Sequence, residues 1–246
     1  MPLLRIHGVK YDVATLLEIE LSNDKSPSDE LISWILKLLS VWCINNEATT
    51  RSYIDLVVAD VISRPEFTDL RAYGEIRCDY ALDNQKKFTR ADYMIGHGKG
   101  IPLSHKTPSF ESHMVVMEAK QTPMDTSKDI EQLILNMAIL HKERETKKCI
   151  NKNVWGILSD FKSWCFGYIN DEGYCKMSKI YHCDINADVI LGMSNEDGFN
   201  HIKKEITNMY QALYSVVAIA YDNSPTTTPI ESYMSQLLDK FSFQDK

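Results

Sequence analysis

Arg90-Ala-Asp-Tyr-Met-Ile95 and His113-Met-Val-Val-Met-Glu-Ala-Lys120 are the two stretches on which the reading of this chain turns. Each is short, apolar and partly β-branched or aromatic, and each is bounded by Gly, Pro or Ser, which predicts a strand. Alternate side chains of a strand share a face, so Glu118 and Lys120 point the same way and flank Ala119. On this reading Met114 and Val116 lie on that face, with His113, Val115 and Met117 on the other. An apolar strand ending in an acid and a lysine is a core strand whose tip emerges at a site. If the strand carrying Asp92 pairs beside it, Asp92, Glu118 and Lys120 converge. Two carboxylates held close together repel unless a cation sits between them, and carboxylate oxygen with water is the donor set that Mg²⁺ or Mn²⁺ prefers. A lysine in that cluster can orient an attacking water or neutralise charge on a phosphate.

The flanking chain alternates helical and extended patterns. Leu16-Leu-Glu-Ile-Glu-Leu21 reads as a strand or a short helix, and both remain open. A helix over about 29–44 follows from the spacing of Leu31, Ile32, Ile35, Leu38, Leu39 and Trp42. A second, over about 47–63, turns Tyr53, Ile54, Val57, Val58, Val61 and Ile62 inward and stops at Arg64-Pro65. Glu47 in its first turn suits the helix dipole, and Arg51 one turn on is placed to pair with it or to touch phosphate. Residues 73–82 read as the first sheet strand, turning at Asp83-Asn84, with Glu75 a further candidate acid. Lys86, Lys87 and Arg90 read as solvated, or as lying along a substrate groove. Gly96-His-Gly-Lys-Gly100 lacks the Ser or Thr and the following helix of a phosphate loop, and reads as an irregular loop running to the second site strand.

Over about 128–145, Ile130, Leu133, Ile134, Met137, Leu140 and His141 line one face of the clearest amphipathic helix, with Gln132 near its start beside the tip of the preceding strand. Residues 153–159 and 163–169 form an apolar hairpin whose Trp155, Trp164 and Phe166 read as core, and a further hairpin arm is expected over 173–184. The last third reads as helices over 198–221 and 230–241, separated by Asn223-Ser-Pro-Thr-Thr-Thr-Pro229.

Taken in order, these elements give helix, strand, strand with Asp92, strand with Glu118-Ala119-Lys120, helix with Gln132, then two strands. That order, with Ala91-Asp92 in place of Pro-Asp, resembles the PD-(D/E)XK nuclease superfamily over about residues 45–170. The segments Asn46-Glu-Ala-Thr-Thr-Arg51, Arg90-Ala-Asp-Tyr-Met94, Val115-Val-Met-Glu-Ala-Lys120 and Asp129-Ile-Glu-Gln132 look similar to nuclease-like domains of fungi and oomycetes, including the C-terminal parts of crinkler effectors. The Leu-Phe-Leu-Ala-Lys leader of crinklers is absent from the sequence, and Asn136 stands where a RecB-like subgroup has Tyr. The resemblance implies an α/β, restriction-endonuclease-like fold: a mixed central sheet flanked by helices, with a β-arm and helices added over about 171–246 of a single domain. It further implies Mg²⁺ or Mn²⁺ held by Asp92, Glu118, the Ala119 carbonyl and Glu47. Lys120 and Gln132 would then serve hydrolysis of a nucleic-acid phosphodiester, in DNA more than in RNA. A different class, a catalytically silent nuclease-fold protein that binds nucleic acid or a partner protein, stays beside it.

Composition bounds both readings. A chain of 246 residues with 44% hydrophobic and 25% charged residues is an ordinary globular sequence. Net charge of −7 argues against an unselective nucleic-acid coat, though not against a local basic patch. Six cysteines without a Cys-x-x-Cys pair suit free thiols in a reducing compartment, and Cys165, Cys175 and His182-Cys183 match no common zinc spacing. With neither a signal peptide nor a membrane span expected, an intracellular protein, cytoplasmic or nuclear, follows, with a homodimer among its possible states.

Overall fold

The computed structural model describes residues 8–12, 15–44, 46–82, 85–97, 113–121, 123–124 and 126–223. In chain order its elements are β1 (Lys10–Tyr11), α1 (Asp29–Val41), α2 (Glu47–Ile62), β2 (Leu70–Leu82), β3 (Gln85–His97), β4 (His113–Ala119), α3 (Thr126–Thr146), β5 (Val154–Ser159), β6 (Ser163–Ile169), β7 (Tyr174–Met177), β8 (Tyr181–His182), α4 (Ala187–Leu191) and α5 (Asn195–Asp222). Local chemistry sets the helix starts. The Ser28 hydroxyl accepts from the Leu31 amide at 3.0 Å to open α1. Asn46 and Thr49 cap each other's backbone to open α2. The Ser194 hydroxyl accepts from the Asp197 amide at 3.1 Å to open α5, whose first turn carries Glu196 and Asp197.

The strands form one open, mixed sheet in the order β1-β7-β6-β5-β4-β3-β2, with β8 also paired to β6. Among the described strand pairs, only β4–β5 and β1–β7 run parallel. The parallel β4–β5 pair needs a crossover, which α3 supplies, and β4 is accordingly buried from Met114 to Ala119. Two apolar layers cover the sheet. On one side α2 and α5 pack on Ile95, Val115, Met117, Trp155, Ile157, Trp164 and Phe166, with α1 laid against those two helices. On the other, α3 lays Leu133, Ile134, Met137 and Ala138 on Met94, Val116, Leu158 and Cys165. Trp155, Trp164 and Phe166 are core, as their pattern predicts. Helix α5, outside the segment carrying the resemblance, belongs to the first layer.

Four local expectations are corrected. Met114 joins Val115 and Met117 on the α5 side, because the β3–β4 register shifts between Ile95 and Gly96 and bulges the start of β4. The segment Leu16–Leu21 is neither strand nor helix; beyond β1 it contributes only a bridge from Leu17 to Ser178. Residues 173–184 form no separate hairpin arm, since β7 and β8 pair with β6 and not with each other. The helix over 29–44 ends at Val41, where Trp42 turns to extended backbone. The Asp83-Asn84 turn, the loop from Gly98 onward to residue 112, and the helix over 230–241 lie outside the described residues. All six cysteines are free and five of them are buried. Among the described residues no helix is long and apolar enough to cross a membrane.

Candidate active site

Strand β4 ends in the middle of the sheet, and what happens to its last amides positions the site. The β3–β4 ladder runs inward to Tyr93↔Met117 and stops there. The next amide that would need a β3 partner, that of Ala119, instead donates to Asp92 Oδ2 at 2.8 Å. On the other flank the Lys120 amide donates to the Ser159 carbonyl at 2.8 Å, carrying on the β4–β5 pairing. Asp92 therefore replaces a backbone rung with its own carboxylate. Across from it in β2, Glu75 has φ of 54°, a left-handed conformation that a glutamate rarely adopts. The β2–β3 pairing skips that position and resumes at Ile76↔Ala91 with the same register. The apolar side chains change phase there: Tyr73 and Ile76, an odd number apart, both face α3.

Glu118 lies on the α3 side and its side chain is 0% exposed. Its Oε2 accepts from Lys120 Nζ at 3.1 Å and from Gln132 Nε2 at 3.0 Å, and Lys120 Nζ also donates to Gln132 Oε1 at 2.9 Å, closing a triangle. Its Oε1 accepts from Asn136 Nδ2, which also donates to the Arg90 carbonyl at 3.3 Å. Gln132 and Asn136 stand one turn apart on α3, so one helix face supplies both amides. Burial pushes the Glu118 carboxyl up to about 7; the charge of Asp92 adds to this, while Lys120 and Asn136 oppose it. Asp92 is also raised, chiefly by burial, against the Ala119 amide and the charges of Arg51 and Lys120.

The other half of the site is a guanidinium clamp. Arg51, one turn into α2, donates from Nη1 to Glu75 Oε1 at 2.5 Å and from Nη2 to Glu47 Oε1 at 2.8 Å and to Asp92 Oδ1. Arg90 Nη1 stands 3.9 Å from the second oxygen of Glu75. The residues named from sequence thus fall into two joined groups: Glu118, Lys120 and Gln132 under α3, and Glu47 with Asp92 on Arg51. Asp92 links them through the Ala119 amide. Pairing of Arg51 with Glu47 was expected at that spacing; its grip on Asp92 and Glu75 was not. Asn136 was missed as a site residue, and its signal was the four-residue step from Gln132 on the strand-facing side of α3.

In type, the donors suit a hard divalent ion: carboxylates of Asp92, Glu118 and Glu47 and the carbonyl of Ala119. The Arg51 Nη2 bridges Asp92 and Glu47, two of those expected ligands, so the place between them accepts positive charge. Among the described residues no group of three or more His, Cys, Asp or Glu side chains is arranged to hold a metal ion. No protein-family model matches the chain, and a search of curated proteins finds no match either.

Proposed function

We propose that the chain is a divalent-metal-dependent phosphodiesterase acting on nucleic acid, DNA before RNA. The observation carrying this reading is the convergence at the end of β4: Asp92 on the Ala119 amide, with Glu118, Lys120 and Gln132 in one hydrogen-bonded triangle beside it. Asp92, Glu118 and the Ala119 carbonyl would hold Mg²⁺ or Mn²⁺, with Glu47 extending the set once Arg51 lets go. A bound ion of this kind lowers the pKa of a coordinated water and offsets charge on the phosphate. The protein's own part is positional. Lys120, fixed by Gln132 and Glu118, has an ammonium proton to spare for an attacking water or for a phosphate oxygen, while Gln132 keeps that ammonium from rotating away. Water attack in line with the P–O3′ bond breaks that bond, and the resemblance implies a 5′-phosphate and a 3′-hydroxyl as products.

Degradation of plasmid and of single-stranded DNA with Mg²⁺ or Mn²⁺ tests the reading, comparing the wild type with Asp92→Ala and Lys120→Ala. Cleavage that needs the metal and falls at least about a hundred-fold in both variants is expected. Cleavage surviving in Asp92→Ala, or a wild type inert with either metal, overturns it. A second reading, a nuclease-fold protein that binds without turnover, is favoured by one observation: Arg51 already engages Asp92 and Glu47. Binding of nucleic acid without cleavage in the same assay supports that reading.

A further inference from the structure

Beyond Asp92 the hairpin β2–β3 leaves the sheet. β3 runs from Gln85 to His97 but pairs with β4 only from Tyr93 to Gly96, so its first half and its partner in β2 form a two-stranded ribbon. One face of the ribbon, with Ile76, Cys78 and Ala91, is packed under α3. The other carries Arg77 directly opposite Arg90, and Asp79 directly opposite Phe88. These side chains are open to solvent: Arg77 is 61% exposed, Arg90 65% and Phe88 55%. Like charges facing each other across a strand pair cost stability, so Arg77 opposite Arg90 works against the ribbon's own pairing. Phe88, on the same face, is left more than half in water. The Arg77 guanidinium lies over the Phe88 ring, 4.4 Å from its centre, which makes a flat cationic and aromatic platform. Each arginine has an acid near it, Asp79 at 2.7 Å from Arg77 and Glu75 at 3.9 Å from Arg90. Exposed pairs of this kind contribute little, so a phosphate can replace either acid at small cost. The platform is fused to the candidate site: Arg90 stands beside Glu75, Glu75 holds Arg51, and the Arg90 carbonyl accepts from the Asn136 that supports Glu118.

We propose that this ribbon face binds a single strand of nucleic acid leading into or out of the site, with Arg77 and Arg90 on successive phosphates and one base stacked on Phe88. This deepens the hydrolase reading above and takes its biological sense from it. A duplex fits less well, because its bases are already stacked and have no free face to offer Phe88.

Fluorescence anisotropy with a labelled mixed-sequence DNA single strand, and with the duplex of the same sequence, tests it in EDTA, where metal-dependent cleavage is off. The wild type should bind the single strand more tightly than the duplex. Phe88→Ala should weaken single-strand binding about ten-fold or more and leave the duplex little changed, with Phe88→Tyr retaining the wild-type affinity. The double variant Arg77→Ala/Arg90→Ala should weaken both and reduce the slope of log affinity against log salt by roughly 1.4, the value for two phosphates of a single strand. All three positions are exposed, and unchanged melting curves confirm that the variants fold. Single-strand affinity unmoved by Phe88→Ala and by the arginine pair overturns the proposal, as does a wild type that binds neither probe. Cleavage with Mg²⁺ that depends on Lys120 yet ignores the ribbon variants removes the ribbon and leaves the hydrolase. Ribbon-dependent binding in a protein that never cleaves removes the hydrolase and leaves the ribbon.

Discussion

The Glu118 pocket and the Arg51 clamp are neighbours that hold carboxylates in opposite ways. The pocket surrounds one buried acid with an ammonium and two amides, so geometry is fixed mostly by neutral donors. The clamp gathers three acids on one guanidinium, with Glu47 and Glu75 about half exposed to solvent. In the pocket charge is expensive and position is rigid. In the clamp charge is plentiful and screened by water. Asp92, partly buried and bonded to each side, joins the two.

The largest expected effect exposes the cost of charge in the pocket. Glu118 is raised from its usual range to about 7 in the folded protein, so between about pH 4.5 and 7 the folded state binds a proton that the unfolded chain gives up. The stability this group contributes is present in full below that window and is lost as pH rises through it, by up to about 3 kcal/mol. Urea unfolding at pH 5 and pH 8 should show Glu118→Gln gaining on the wild type by that amount across the range. A constant offset is also expected, because the new NH₂ group faces a donor. Parallel pH curves for the two proteins would mean that Glu118 is not perturbed.

The clamp should respond to cations instead. Arg51→Ala leaves Glu47, Glu75 and Asp92 close together without their shared partner, and should cost about 1.5–3 kcal/mol in a metal-free buffer. Added MgCl₂ should restore Tm in the variant more than it raises Tm in the wild type. Calorimetric titration should show Mg²⁺ binding about ten-fold tighter in Arg51→Ala, since no guanidinium has to be displaced. Equal Mg²⁺ affinity in both proteins would separate the clamp from any metal site.

A third change loosens the pocket from behind. Gly156 on β5 faces α3, where an added Cβ would collide with Met137 Sδ and stand 3.2 Å from Leu133 Cδ1. Gly156→Ala should therefore push α3 off the sheet at about 1–3 kcal/mol. Gln132 and Asn136 move with the helix, so the variant should titrate Glu118 at a different pH from the wild type, readable in the same pair of urea experiments. Arg51 sits on α2, across the sheet, and the Mg²⁺ response of the clamp should be unaffected.

How far the sequence reaches can be seen from the same residues. Period-2 and period-3.6 patterns located β4 through β6, α2 and α3 within a few residues, because burial on one face writes itself into spacing. Strand β3 reads only as 90–95 from its pattern, yet it begins at Gln85 and takes in Gly96 and His97, which read as loop. Asp92, Glu118, Lys120 and Gln132 were legible as a group because strand and helix ends fix where those side chains project. Glu75 was not fully legible: its left-handed backbone lets it reach Arg51, and no residue-type signal marks a glutamate in that conformation. Neither was the Met114 bulge, which depends on how two strands meet and not on either one alone. The pairing of both β7 and β8 with β6 is a long-range choice of the same kind. Asn136 looked like a departure from a family pattern, and its meaning emerged only with Glu118 beneath it.

Asn136 also gives the smallest and most discriminating test of the pocket. Its amide nitrogen donates to both Glu118 Oε1 and the Arg90 carbonyl, so Asn136→Ala strands two acceptors, one of them charged. An unsatisfied buried acceptor costs about 1–3 kcal/mol. Glu118, however, has an escape that a backbone carbonyl lacks: it can take up a proton, and losing Asn136 moves its pKa further up because that hydrogen bond favours the charged form. The penalty should therefore be greater at pH 8, where the wild-type carboxylate is ionised, than at pH 5, where both proteins carry the proton and only the Arg90 carbonyl is left wanting. A difference of about 1 kcal/mol between the two pH values is expected from urea unfolding. A penalty equal at both would place the cost of the substitution in packing alone, and the pocket would then be held by shape and not by the hydrogen bonds that distinguish it from the clamp.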